Sequence, residues 1–137
     1  MNVKYYYKST SFRLAEEERY SRLVNTIINR EGYRRGEINI IFTSDKTILN
    51  LNKKFLNREY YTDVIVFNNT FKNTVSGELY LSIERIKENS EKYSGGDFIR
   101  EIRRIIIHGI LHLIGYEDKS IKGRELMTNK EDFYLNS

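Results

Sequence analysis

The chain has 137 residues, 39% of them hydrophobic and 31% charged, a balance that describes one globular domain over 1–137 and excludes general disorder. The absence of cysteine excludes a disulfide scaffold, a thiolate zinc finger and a cysteine nucleophile. Twenty-three basic against 19 acidic residues leave a net charge of +4, enough to suit a polyanionic partner but far from a histone-like excess.

A β-prone start, Val3 to Tyr7, is followed by acidic Glu16, Glu17 and Glu18, which open a helical pattern of Tyr20, Leu23, Val24, Ile27 and Ile28 closed by Gly32. Ile38, Ile40 and Phe42 alternate with polar neighbours as in a half-buried strand, and Ser44 is placed to cap a helix carrying Ile48, Leu51, Phe55 and Leu56. Val64-Ile65-Val66-Phe67 is apolar on both faces and reads as an inner strand. A connection from Asn68 to Ser76 leads to a strand around Glu78 to Leu81 and a helix over about 83–93. Ser94-Gly95-Gly96 breaks that helix, and Asp97 caps a largely buried one carrying Phe98, Ile99, Ile102, Ile105, Ile106, Gly109, Ile110 and Leu113, which Gly115 ends. A charged helix over about 122–134, with Lys122, Arg124, Glu125, Lys130, Glu131 and Asp132, reads as a solvated face. The expected fold is α+β: a small sheet of three or four strands with packed helices, and the chemistry at the end of a central buried helix. The first residues hold no apolar core of signal-peptide length and no run approaches a membrane span, so a cytoplasmic, unprocessed protein is expected.

The chemistry lies in His108-Gly-Ile-Leu-His112-Leu-Ile-Gly115-Tyr-Glu-Asp118. The two histidines of the chain stand four residues apart, so on a helix both rings project from one face and their nitrogens can converge on one ion. Gly115 lets the chain turn back and bring Asp118 to the pair. Two neutral imidazoles and a carboxylate make a three-ligand zinc site with a fourth position open, which is the catalytic rather than the structural pattern. The order of ligands and glycine matches the long metzincin-type motif, but zinc proteases of that pattern carry glutamate after the first histidine, where this chain has Gly109. A zinc hydrolase that is not a peptidase is therefore expected. The alternative is that the histidines are packing residues and the glycine an ordinary helix stop.

The same segment resembles the signature of the YbeY endoribonuclease family, His-Gly-x-Leu-His-Leu-x-Gly-Tyr-Asp-His, at every fixed position from His108 to Tyr116. Thr62-Asp63-Val64-Ile65-Val66-Phe67 resembles that family's Thr-Asp-Val-Leu-Ser-Phe strand, and Ser76-Gly77-Glu78-Leu79 its Gly-Asp-Ile strand. The resemblance implies a zincin-like fold and a zinc-dependent, single-strand endoribonuclease acting in small-subunit (16S) rRNA maturation and ribosome quality control. It implies one Zn2+ per chain and, as partners, ribosomal RNA, the small ribosomal subunit, and ribosomal proteins or assembly GTPases, with no membrane and a monomeric chain. The metal ligands carry over to His108 and His112. The third departs: Asp118 stands where the family usually has histidine, which adds negative charge and weakens the metal as a Lewis acid.

Family members also carry an arginine seven residues before the strand's aspartate, where this chain has Leu56; Arg58, two residues on, is the candidate substitute and the one catalytic residue expected outside the ligand set. Phosphodiester cleavage by metal-activated water is expected, with Lys53, Lys54 and Arg58 steadying the RNA backbone. Attack by the neighbouring ribose hydroxyl is the other route. Arg104, one turn before His108, either binds phosphate or covers the helix end. Tyr5, Tyr6, Tyr7, Tyr60 and Tyr61 are candidates for base stacking or ordinary strand residues. Two rival functions stay open: a zinc hydrolase of another substrate class, including a peptidase using Glu117 as base, and a non-catalytic ribosome-assembly factor with a structural metal.

Overall fold

The computed structural model describes residues 3–56 and 62–136. Along the chain run β1 (Lys4–Tyr7), α1 (Glu17–Arg30), β2 (Arg34–Thr43), α2 (Asp45–Phe55), β3 (Val64–Asn68), β4 (Thr74–Ser82), α3 (Ile83–Tyr93), α4 (Phe98–Ile114) and α5 (Ile121–Leu135). The strands form one sheet in the order β1-β2-β4-β3. β1 and β4 each lie parallel to β2, and β3 runs antiparallel to β4. This is the expected α+β fold.

Local chemistry sets the helix starts. The side chains of Ser44, Ser82, Asp97 and Ser120 accept from Thr47, Arg85, Arg100 and Gly123 backbone N–H groups at 3.2, 3.1, 3.0 and 2.9 Å, each satisfying a donor that has no partner within its helix. α1 has no such cap and relies on Glu17 and Glu18 in its first turn, where carboxylates oppose the positive end of the helix.

Alternation along β2 and β4 sends Ile38, Ile40, Phe42, Val75, Leu79 and Leu81 into the main core. Val24, Ile27 and Ile28 of α1 and Ile102, Ile105, Ile106 and Ile110 of α4 complete it. Ile41, Ile48 and Ile65 are buried outside that cluster. On this second face α2 packs on β3 and β4, and Phe67 meets Phe55 and Tyr80 edge-on at 5.8 and 5.7 Å. β3 is thus covered on both faces, which explains its unbroken apolar run, yet it is an edge strand and not an inner one. Apolar faces report what lies above and below a strand, not whether both of its edges are paired. The connection between β3 and β4 is also shorter than the sequence implies, because β4 begins at Thr74.

α4 lies close on β4 because Gly109 has no side chain. A Cβ there would stand 1.8 Å from Leu79 Cδ2, in a part of the core with no exposure. Gly109→Ala gains about 1 kcal/mol of helix propensity but overpacks the contact at a cost of about 1–3 kcal/mol or more. The expected result is a net loss of about 1 kcal/mol, seen as a lower urea midpoint with unchanged slope. Equal or higher stability would refute the close approach. No helix among the described residues is long and apolar enough to cross a membrane.

Candidate metal centre

With Gly109 against the sheet, His108 and His112 fall on the flank of α4 and are half-buried, their side chains 19% and 26% exposed. The helix then ends as the sequence predicts. Gly115, at φ +120°, takes a conformation that L side chains rarely adopt. Tyr116 N–H returns to the Leu111 carbonyl at 3.0 Å and Gly115 N–H to that of His112 at 3.1 Å, a Schellman closure. The reversed chain delivers Asp118 to the histidines.

The three donor atoms form a small triangle. His108 Nε2 and His112 Nε2 are 3.0 Å apart, and Asp118 Oδ2 stands 3.6 Å from each. Ligands held about 2.0–2.1 Å from a tetrahedral ion are separated by about 3.3 Å, so the triangle fits such an ion with little adjustment. Among the described residues this is the one group of three ligand-type side chains that converges in this way. Burial, followed by the nearby His108, lowers the His112 pKa, with Asp118 pulling the other way. The neutral imidazole that results is the form that ligates.

Behind His108 lies a network that the sequence reading missed. Glu131 of α5 is 6% exposed, not solvated, and its Oε2 stands 2.5 Å from His108 Nδ1. Arg104 donates to Glu131 Oε1 at 3.3 Å and to both oxygens of Glu101 at 3.1 and 2.5 Å. Its guanidinium therefore serves carboxylates inside the protein. A signal existed: Met127, Glu131 and Tyr134 share one face of α5 at helical spacing, and that face is buried. The charge of Glu131 masked its position.

In front of the triangle opens a cleft of about 510 Å³, walled by Asn52 of α2, Leu56 just beyond it, Thr62, Asp63, β3 and Lys119. The bonds Ser82 N–H to Asp63 O and Asn69 N–H to Ser76 O put the hydrogen-bonded pairs of this antiparallel ladder at odd-numbered residues of β3. Val64, Val66 and Asn68 thus turn their main-chain groups to the open edge. Lys53 and Lys54 are exposed on the last turn of α2, outside the cleft lining. Tyr5 and Tyr7 belong to the opposite edge of the sheet, tied to α1 through Ser21 at 3.0 Å and Glu17 at 2.6 Å. Tyr6, beside them, is exposed. Arg58, Tyr60 and Tyr61 lie outside the described residues. Glu117 is exposed and is not part of the cleft wall.

The sequence profile of the family described as "Endoribonuclease YbeY" matches residues 5–137. The chain is similar to the Endoribonuclease YbeY of Karelsulcia muelleri (strain GWSS), 42% identical over 133 residues that cover 97% of this chain and 93% of that one. It is 37% identical over 134 residues to the protein of the same name from Cytophaga hutchinsonii, again covering 97% and 93%. The solution structure of TM1509 from Thermotoga maritima superposes with a TM-score of 0.68 at 26% identity, covering 98% of this chain and 87% of that one.

Proposed function

The chain belongs to the YbeY endoribonuclease family, and from that premise we propose that it is a zinc-dependent hydrolase cleaving single-stranded RNA at the His108–His112–Asp118 centre. Its proposed substrate is precursor small-subunit rRNA, and its setting is the cytoplasm, in ribosome maturation and quality control. It works there as a monomer on the small subunit, beside ribosomal proteins or assembly GTPases. The observation that carries the reading is the triangle of two imidazole nitrogens and a carboxylate oxygen with sides of 3.0, 3.6 and 3.6 Å, open to a polar cleft.

His108 and His112 would hold the ion through Nε2, and Asp118 would add an anionic oxygen that offsets part of its charge. When bound, the ion supplies Lewis acidity toward water and a phosphoryl oxygen. Lys119 on the cleft wall supplies a cation to the RNA backbone, and Lys53 and Lys54 add longer-range attraction from the end of α2. Arg58 is retained from the sequence as the candidate catalytic residue outside the ligand set. Val66 and Asn68, on the edge strand β3, turn their main-chain groups toward an extended strand lying in the cleft. Gly109 faces Leu79 rather than the cleft, so the position where zinc proteases of this pattern carry their base supplies none here.

The zinc-loaded protein is expected to cut end-labelled single-stranded RNA, to spare the matching duplex and casein, and to leave no cyclic phosphate. Cyclic-phosphate ends would replace water by the ribose hydroxyl as nucleophile. Casein hydrolysis that His112→Ala abolishes, with RNA untouched, would overturn the ribonuclease reading.

A further inference from the structure

We propose that Glu131 is a positioning residue for the metal centre, fixing His108 in the tautomer and ring orientation that present Nε2 to the ion; the inference rests on the metal reading above. A neutral imidazole carries one proton, and a ring that ligates through Nε2 must carry it on Nδ1. Glu131 Oε2 stands 2.5 Å from that nitrogen. An ionised carboxylate only accepts, so the contact selects the ligating tautomer and sets the plane of the ring.

The carboxylate is itself held. Glu131 Oε1 takes a hydrogen bond from Arg104, and Arg104 is anchored by two bonds to Glu101, which has no exposure. Ser94, just beyond α3, donates to Glu101 Oε1 at 2.8 Å. A chain of polar contacts thus runs from the end of α3 along one side of α4 to α5 and ends on His108 Nδ1, the ring nitrogen opposite the ligating one. A carboxylate accepting from Nδ1 raises the basicity of the ring, which strengthens its donation to a cation. The chain also ties α5, apart in sequence from the histidine helix, to the geometry of the site.

Two measurements test the role without relying on RNA cleavage. Long-range ¹H–¹⁵N correlation spectra of the metal-free wild-type protein at neutral pH are expected to show His108 protonated on Nδ1 and bare on Nε2. A proton on Nε2 overturns the proposal, and this readout needs no variant to fold. Zinc competition against a chromophoric chelator is expected to show Glu131→Ala binding about 10- to 100-fold more weakly. Glu131→Gln, whose amide oxygen still accepts from Nδ1, should recover part of that loss together with the wild-type tautomer. Wild-type affinity in Glu131→Ala overturns the positioning role alone. Absence of zinc binding by the wild type overturns the metal reading itself, and the role with it.

Discussion

His112→Ala is expected to remove stoichiometric zinc binding and to lower RNA cleavage about 1,000-fold or more, while the fold persists. The substitution deletes one corner of the donor triangle and leaves His108 and Asp118, 3.6 Å apart, as a two-point site. Metal polarisation is worth several kcal/mol of transition-state stabilisation, and each 1.36 kcal/mol is a factor of ten, hence a loss of about 10³-fold. The fold persists because the ring sits on the flank of α4 and is 26% exposed. Burial and His108 depress the His112 pKa below its ordinary 6.5. A depressed folded-state pKa means that the unfolded chain binds more protons in that window, so metal-free wild-type protein loses stability as pH falls from about 6.5 through the folded value. His112→Ala lacks this contribution and should show a flatter stability profile there. Elemental analysis, cleavage of labelled RNA and urea titrations at pH 5 and 7.5 check the three parts. Full cleavage by a variant free of zinc would end the metal-dependent reading, and collapse of the fold on losing zinc would favour a structural ion.

The convergence of His108, His112 and Asp118 was legible because its geometry is local. His108 and His112 are one helical turn apart and Gly115 reverses the chain within three residues of His112, so spacing alone brings Asp118 back. Caps at Ser44 and Asp97 and the apolar periods of α1 and α4 are local in the same sense. What escaped depends on contacts between distant segments. The place of β3 at the sheet edge follows from β4 inserting beside β2, which no period within Val64–Phe67 encodes. Arg104 looked available for phosphate because its helix face is shared with His108, but Glu101, three residues before it, takes two of its donors and Glu131, 27 residues on, takes a third. Gly109 read as a missing base, whereas its observed task is to admit Leu79. A buried charge such as Glu131 resembles surface in any composition-based reading, and only its partner across the core distinguishes the two.

Glu31 presents the same problem of legibility and the largest expected effect on stability. Its carboxylate, 8% exposed at the end of α1, accepts from Tyr116 and Tyr134 hydroxyls at 2.5 Å each and from Lys130 Nζ at 3.1 Å. It thereby gathers the turn that carries Asp118 and the helix that carries Glu131. Glu31→Ala is expected to cost about 3 kcal/mol: hydrogen bonds to a charged group are worth about 1.5–3 kcal/mol each, and the bonds from Tyr116 and Tyr134 are lost, while Lys130, 34% exposed, resolvates. The pH dependence has a definite sign. Burial raises the Glu31 pKa, yet the bonds from Tyr116, Tyr134 and Lys130 outweigh it and the net shift is downward from 4.5. That contribution is present above 4.5 and is lost as pH falls through the folded value. Tyr134 and Tyr116 are raised above 10 by burial and then by Glu31, so their contribution is present below 10 and fades as pH rises beyond it. The stability difference between wild type and Glu31→Ala should therefore be widest between about pH 5 and 9 and shrink on either side. Loosening Tyr116 also frees the turn holding Asp118, so zinc affinity should fall together with stability, whereas in His112→Ala it falls alone. Urea titrations across that range, paired with chelator competition, test both halves. An unchanged midpoint at pH 7 would mean that the tyrosines find water as readily as Glu31, and that α1 has no part in holding the site.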